Sequence, residues 1–233
     1  MRFDGKRYWL VGASEGLGRA LAIKLSAAGA ELVLSARAEG RLHSLADDLP
    51  GKAQVLQLDL ADEASVAQAG AALGRVDGVV FLAGVYWPMS AQEWDGPSVL
   101  AMADINFIGA FRVLNQVMPQ FLERGAGHIV ITGSLSGFRG LPGAIGYGAS
   151  KAGVMALAES LYADLRRTGI KVQVANPGFI KTRLTEKNAF HMPFLMSPDE
   201  AADHMLHHMA SKRFKRSFPT LFSWLFRFSQ FWP

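Results

Sequence analysis

Short apolar runs at residues 8–11, 31–35, 55–58, 79–82, 128–132 and 171–175 alternate with longer stretches in which apolar side chains recur at helical spacing. The first helical stretch carries Leu17, Leu21 and Leu25 on one face and ends near Gly29. The next spans 39–49 and stops at Pro50 and Gly51, and a third covers 61–73. A long helical region covers 99–124, and the longest regular helix is expected over 147–167. Pro177 and Gly178 stop the sixth strand. Each crossover is long enough to return the chain parallel to its predecessor, so the pattern predicts a doubly wound, Rossmann-like α/β sandwich with a mostly parallel sheet of six or seven strands. Beyond it, Pro198 opens a helix through Met209, residues 213–217 supply a short edge strand, and an amphipathic extension follows.

Composition narrows the function classes. The 233 residues are 50% hydrophobic and 19% charged, with 24 glycines and no cysteine, which excludes disulfides, thiol catalysis and thiolate metal sites. The chain sorts into residues 1–211, a dinucleotide-binding and catalytic body, and residues 212–233, a basic aromatic extension of the same domain. The net charge of +4 is concentrated in that extension: Lys212, Arg213, Lys215, Arg216 and Arg227 stand there without an acid, leaving −1 for the rest. A near-neutral body argues against nucleic acid as a partner. The polar start of the chain, residues 1–6, carries no signal-peptide pattern, so a cytoplasmic protein is expected.

Candidate chemistry begins at the turn after the first strand. Gly12, Gly16 and Gly18 allow close backbone approach to a diphosphate, which the following helix N-terminus favours through its free N–H groups. Tyr147 and Lys151 lie four apart on one helix and project from one face. A phenol with a reference pKa of about 10 is a poor base near neutrality, and a nearby ammonium would draw that value down. With Ser134 and a helix-borne Asn106, these residues make the chain resemble the classical short-chain dehydrogenase/reductase family. The resemblance runs from about residue 6 to 182.

It implies an oxidoreductase that interconverts a carbonyl compound and a secondary alcohol with a nicotinamide cofactor. Tyr147 would transfer the proton, Ser134 would position the reacting oxygen, Lys151 would hold the nicotinamide ribose, and Asn106 would belong to a proton relay. The cofactor-facing turn would be Gly12, Ser14, Gly16, Leu17 and Gly18. Asp59 and Leu60 would approach adenine, Ala83 and Gly84 the middle of the cofactor, and Pro177, Gly178, Ile180 and Thr182 the nicotinamide. The second strand ends in Ser35, Ala36 and Arg37 with no carboxylate, which favours NADP over NAD, with Ser14 as an additional contact. Glu15 opposes this preference unless it points away, because a carboxylate beside a phosphate is repulsive. Leu82 stands where the family usually has asparagine. These two departures support an alternative reading as a catalytically weak sensor or scaffold whose tail binds a membrane or partner.

Tyr86, Trp87, Met89, Phe138, Leu141, Phe190, Phe194, Leu195 and Met196 flank the expected cleft and point to a hydrophobic carbonyl or alcohol substrate. His204, His207 and His208 lack the companions of a metal site, and none is expected. Family resemblance implies a homodimer or homotetramer, formed through the two long helices. In residues 218–233, Leu221, Phe222, Trp224, Leu225, Phe228, Phe231 and Trp232 fall on one helical side, with Ser223, Arg227 and Gln230 on another. That apolar face would cover another subunit or the substrate opening, or lie in the plane of a membrane.

Overall fold

In the strands, successive side chains leave on opposite faces, and both faces here are apolar. The computed structural model describes residues 3–188 and 190–228. Its sheet contains β1 (Arg7–Val11), β2 (Glu31–Ser35), β3 (Ala53–Val55), β4 (Gly78–Phe81), β5 (Ala126–Thr132), β6 (Gly169–Pro177) and β7 (Lys215–Phe218). All seven are parallel, in the order β3-β2-β1-β4-β5-β6-β7. On one face Tyr8 and Leu10 meet α1 (Gly16–Ala27), α2 (Glu39–Asp48) and α7 (Pro198–Ala210) through Leu21, Leu25, Leu42, Leu45 and Met205. On the other, Trp9 and Val11 join the core formed by α3 (Glu63–Leu73), α5 (Gly109–Glu123) and α6 (Ile145–Leu165), with Val66, Val117, Phe121 and Val154. The doubly wound expectation therefore holds, with helices on both sides of a fully parallel sheet.

Two local differences matter. The third strand occupies 53–55 rather than 55–58; beyond it the backbone still reaches β2, as the Leu56 and Leu58 N–H groups donate to the carbonyls of Leu34 and Ala36 at 3.0 and 3.2 Å. The helical region expected over 99–124 is built from α4 (Gly96–Ala103) and α5, joined by a π-helical turn at Asp104–Ile108 that contains Asn106. Although residues 96–123 are apolar and long enough to span a bilayer, their inner side chains Val113, Val117 and Phe121 belong to the core of the sheet.

The extension completes the sheet with β7 and continues into α8 (Thr220–Phe228). Here the expected facing is corrected. Phe222 and Ser223 are buried, and Arg227 donates to Ser217 Oγ at 3.2 Å, while Leu221, Trp224, Leu225 and Phe228 are exposed. Phe222 left the expected outer stripe because it fits against Phe179 and Phe194, with ring centroids 5.9 and 5.4 Å away. The expected positions of Gln230, Phe231 and Trp232 lie outside the described residues.

Candidate active site

The strand order reverses between β1 and β4, and crevices at the carboxyl ends of parallel strands open at such a switch point. A cavity of about 800 Å³ lies there. Its wall includes Gly12, Ser14, Gly16, Leu17 and Gly18 from the first turn, Arg37 after β2, Asp59 and Leu60 after β3, and Ala83 and Gly84 after β4. Ser134, Tyr147 and Lys151 complete one end with Pro177, Gly178, Ile180 and Thr182. Asn106 is fully buried and is not part of the wall.

The glycine turn is forced by close backbone packing. Gly12 has φ +97°, and a Cβ there would stand 2.6 Å from Ala83 N; one on Gly18 would stand 2.0 Å from Gly12 O. No side chain fits at either point, so β1, β4 and the start of α1 close on each other and leave the backbone itself as the cavity wall. Gly84 differs: a Cβ there would have ordinary contacts, 3.5 Å from Lys151 Nζ and 3.6 Å from Asn106 Oδ1.

Tyr147 and Lys151 sit one turn apart near the start of α6, and the Tyr147 hydroxyl is hydrogen-bonded to the Ser134 side chain. Ser134 opens a short 3-10 turn after β5, and its Oγ accepts from the Ser136 N–H at 3.1 Å. Burial pushes the Tyr147 pKa up to about 12, against the smaller downward pull of Ser134. Lys151 donates from Nζ to the Thr132 carbonyl at 3.0 Å, and burial lowers its pKa to about 8. The expectation that the ammonium draws the phenol pKa down is not met in the protein alone: desolvation raises it, and Nζ lies 5.8 Å from the Tyr147 ring centroid.

Asn106 acts as a clamp. Its Oδ1 accepts from the Val85 N–H at 2.7 Å, and its Nδ2 donates to the Val85 carbonyl at 2.9 Å and to Ser150 Oγ at 3.0 Å. Ser150 Oγ donates in turn to the Tyr147 carbonyl at 2.9 Å. The π-helical turn therefore ties the loop after β4 to the helix bearing Tyr147.

Of the nine apolar residues expected around a substrate, Tyr86 and Trp87 line the cavity, and the Tyr86 ring meets Tyr147 edge-on at 5.1 Å. The others do not line it: Met89 and Met196 are buried elsewhere, and Phe190, Phe194 and Leu195 are exposed. Phe194 and Phe222 instead support the far side of the wall, since a Cβ on Gly178 would reach Phe222 and Pro219 at 3.3 Å.

Sequence reasoning missed Arg41, Arg183 and Lys187 as cavity residues. Lys187 donates to the Tyr86 carbonyl at 2.6 Å and lies 4.6 Å from the Trp87 ring centroid, joining two loops over the site. No local motif announces these cations, because each gains its place from a partner on another element. Among the described residues no group of three or more His, Asp or Glu is placed to hold a metal ion.

Comparison with known proteins agrees with this arrangement. A family model described as short chain dehydrogenase matches residues 6–192. An uncharacterized oxidoreductase of Myxococcus xanthus is 38% identical over 203 residues, covering 84% of this chain and 80% of that relative. A 3-oxoacyl-[acyl-carrier-protein] reductase of Escherichia coli is 33% identical over 194 residues, covering 79% and 78%. The solved structure of a short-chain dehydrogenase from Sphingobium yanoikuyae in complex with NADPH superposes with a TM-score of 0.86 at 28% identity, covering 92% of this chain and 88% of that one.

Proposed function

Because the chain belongs to the short-chain dehydrogenase family, and is thereby an oxidoreductase using a nicotinamide dinucleotide, we propose that it prefers NADP and interconverts an apolar carbonyl compound with its secondary alcohol. The observation that carries this reading is one continuous cavity with Ser134, Tyr147 and Lys151 at one end and Arg37 at the other. Its volume lies within the roughly 300–1,000 Å³ of small-molecule sites. The cofactor fits the donor chemistry: bare glycine backbone for the diphosphate, Lys151 Nζ for ribose hydroxyls, and the buried Thr132 Oγ1, which has no partner among the described residues, on a residue that lines the same cavity.

When bound, the nicotinamide supplies or accepts the hydride. The side chains handle the oxygen and its proton. Ser134 holds the carbonyl oxygen; Tyr147, kept protonated by burial, gives its hydroxyl proton to that oxygen as the carbonyl carbon is reduced. The Lys151 ammonium favours the phenolate left behind, and the reverse path returns the proton to Tyr147. Asn106, through Val85 and Ser150, holds the two walls in register.

Tyr86 and Trp87 support an apolar substrate, and the name of the E. coli relative makes acyl ketones a natural first class to try. The exposed Leu100, Phe111, Leu122 and Tyr162 support a homodimer or homotetramer through the long helices. For the tail, covering the wall at Gly178 is favoured over membrane contact. Lys215 pairs with Glu159, Arg216 with His204 and Arg227 with Ser217, so these cations are engaged within the protein. Liposomes containing anionic lipid should not sediment the protein; co-sedimentation would reverse that choice.

The test is nicotinamide oxidation by purified protein with NADPH and NADH across ketones, aldehydes and 3-oxoacyl thioesters, alongside Tyr147→Phe. Turnover abolished by the substitution and faster with NADPH is expected. No Tyr147-dependent turnover in any class would remove the enzymatic reading, and a preference for NADH would remove the role of Arg37.

A further inference from the structure

Glu15 occupies the glycine turn, where its carboxylate would face a cofactor phosphate, yet it is not free to do so. Oε2 accepts from Arg41 Nη1 of α2 at 2.5 Å, and Oε1 accepts from Arg183 Nη2 of the loop after β6 at 2.7 Å. The three side chains and Arg37 line the same cavity and sum to +2, reduced to +1 by Asp59, which also lines it. Arg41 lies in the first turn of α2, where the helix dipole disfavours a cation unless an anion meets it. In the protein alone Glu15 joins Glu39 of the same turn in that role.

We propose that Arg41 is a second cation of the site for the adenosine 2′-phosphate, and that Glu15 is a positioning residue that holds it beside Arg37. The proposal rests on the NADP reading above and goes beyond it. Both ion pairs are in contact with water, their side chains 41–64% exposed, and such pairs are worth only about 0–1 kcal/mol, so Arg41 exchanges partners at little cost. A dianionic phosphate offers Arg41 a fork-shaped contact that a carboxylate already shared with Arg183 does not. Arg183, reaching from the loop after β6, keeps the other carboxylate oxygen paired while that exchange occurs. The acid in the turn thereby recruits a base from α2 in place of carrying one itself.

Calorimetric titration with adenosine 2′,5′-bisphosphate and with AMP separates the 2′-phosphate contribution without any turnover. Wild type should bind the bisphosphate more tightly. Arg41→Ala should lose about tenfold of that advantage with AMP affinity unchanged, the loss of one charge-assisted contact. Glu15→Ala should lose part of it, about threefold, whereas Glu15→Gln, which still accepts from Arg41, should keep most of it. Tighter bisphosphate binding in both Glu15 variants would make Glu15 a repelling group and overturn the proposal, as would an Arg41→Ala variant indistinguishable from wild type. A wild type that does not distinguish the two ligands would instead overturn the NADP reading itself. A loss in Arg37→Ala with none in Arg41→Ala would leave that reading intact and refute the inference alone.

Discussion

The two ends of the cavity solve different electrostatic problems. At the proposed catalytic end Tyr147 is partly buried and Lys151 buried, and burial shifts their pKa values in opposite directions, up to about 12 and down to about 8. At the proposed adenosine end Glu15, Arg41 and Arg183 stay in contact with water, and the two arginines share one carboxylate through ion pairs. Proton transfer needs a desolvated environment that tunes each group; phosphate recognition needs mobile cations whose pairs exchange cheaply. One end is set by depth, the other by charge count.

The largest test of that contrast is Tyr147→Phe, which removes the transferable proton and leaves the adenosine end untouched. Turnover should fall by about 10²–10⁴-fold while cofactor affinity, followed by fluorescence titration, stays within twofold. A parallel loss of affinity would mean that the two ends are not separable.

Depth also predicts a pH limit. Lys151 is an ammonium below about pH 8 and neutral above it. Since the ammonium is the form that favours the phenolate, kcat/KM in the reducing direction should fall about tenfold per pH unit above that point. A flat profile to pH 10 would show that burial does not govern this lysine.

Buried histidines away from the cavity show whether depth alone has this effect. His128 lies between Tyr8 and Gln173, and His208 donates from Nε2 to the Val174 carbonyl at 3.1 Å; burial lowers their pKa values to about 3 and about 4. The unfolded chain protonates near the ordinary imidazole value of about 6.5, so stability is complete above that pH and is lost as pH falls towards 4, by roughly 3 kcal/mol for each histidine. Urea midpoints measured from pH 7 to 4 should fall accordingly, and less steeply in His128→Asn; an unchanged slope in that variant would exonerate His128.

The smallest effect belongs to the exposed end. Raising salt from about 0.05 to 0.5 M shortens the screening length well below 10 Å. The KM for NADPH should rise a few-fold with kcat unchanged, and Arg37→Ala should flatten the response. Equal sensitivity of kcat would erase the distinction between the ends.

Much of this site is legible in the chain. Tyr147 and Lys151 share a helix face by spacing alone, and the glycines at 12, 16 and 18 announce a turn that side chains would block. What escapes local reading depends on distant partners. Asn106 looks like one more position in a continuous helix until an inserted π-helical turn brings its side chain to Val85 and Ser150. Arg41, Arg183 and Lys187 look like surface cations until Glu15 and Tyr86 draw them over the cleft. The apolar stripe of α8 was likewise readable, but not the departure from it of Phe222, which turned inward to meet Phe179 and Phe194.

From its sequence alone this protein is a parallel α/β fold with a glycine turn and a Ser, Tyr and Lys set, because strand period, helix period and backbone sterics act over a few residues. Tertiary structure decided the rest: the direction of the Tyr147 pKa, the neutralisation of Glu15 and the inward face of the tail. Desolvation and Coulomb interaction depend on what surrounds a group in space, and those neighbours come from elements far apart along the chain.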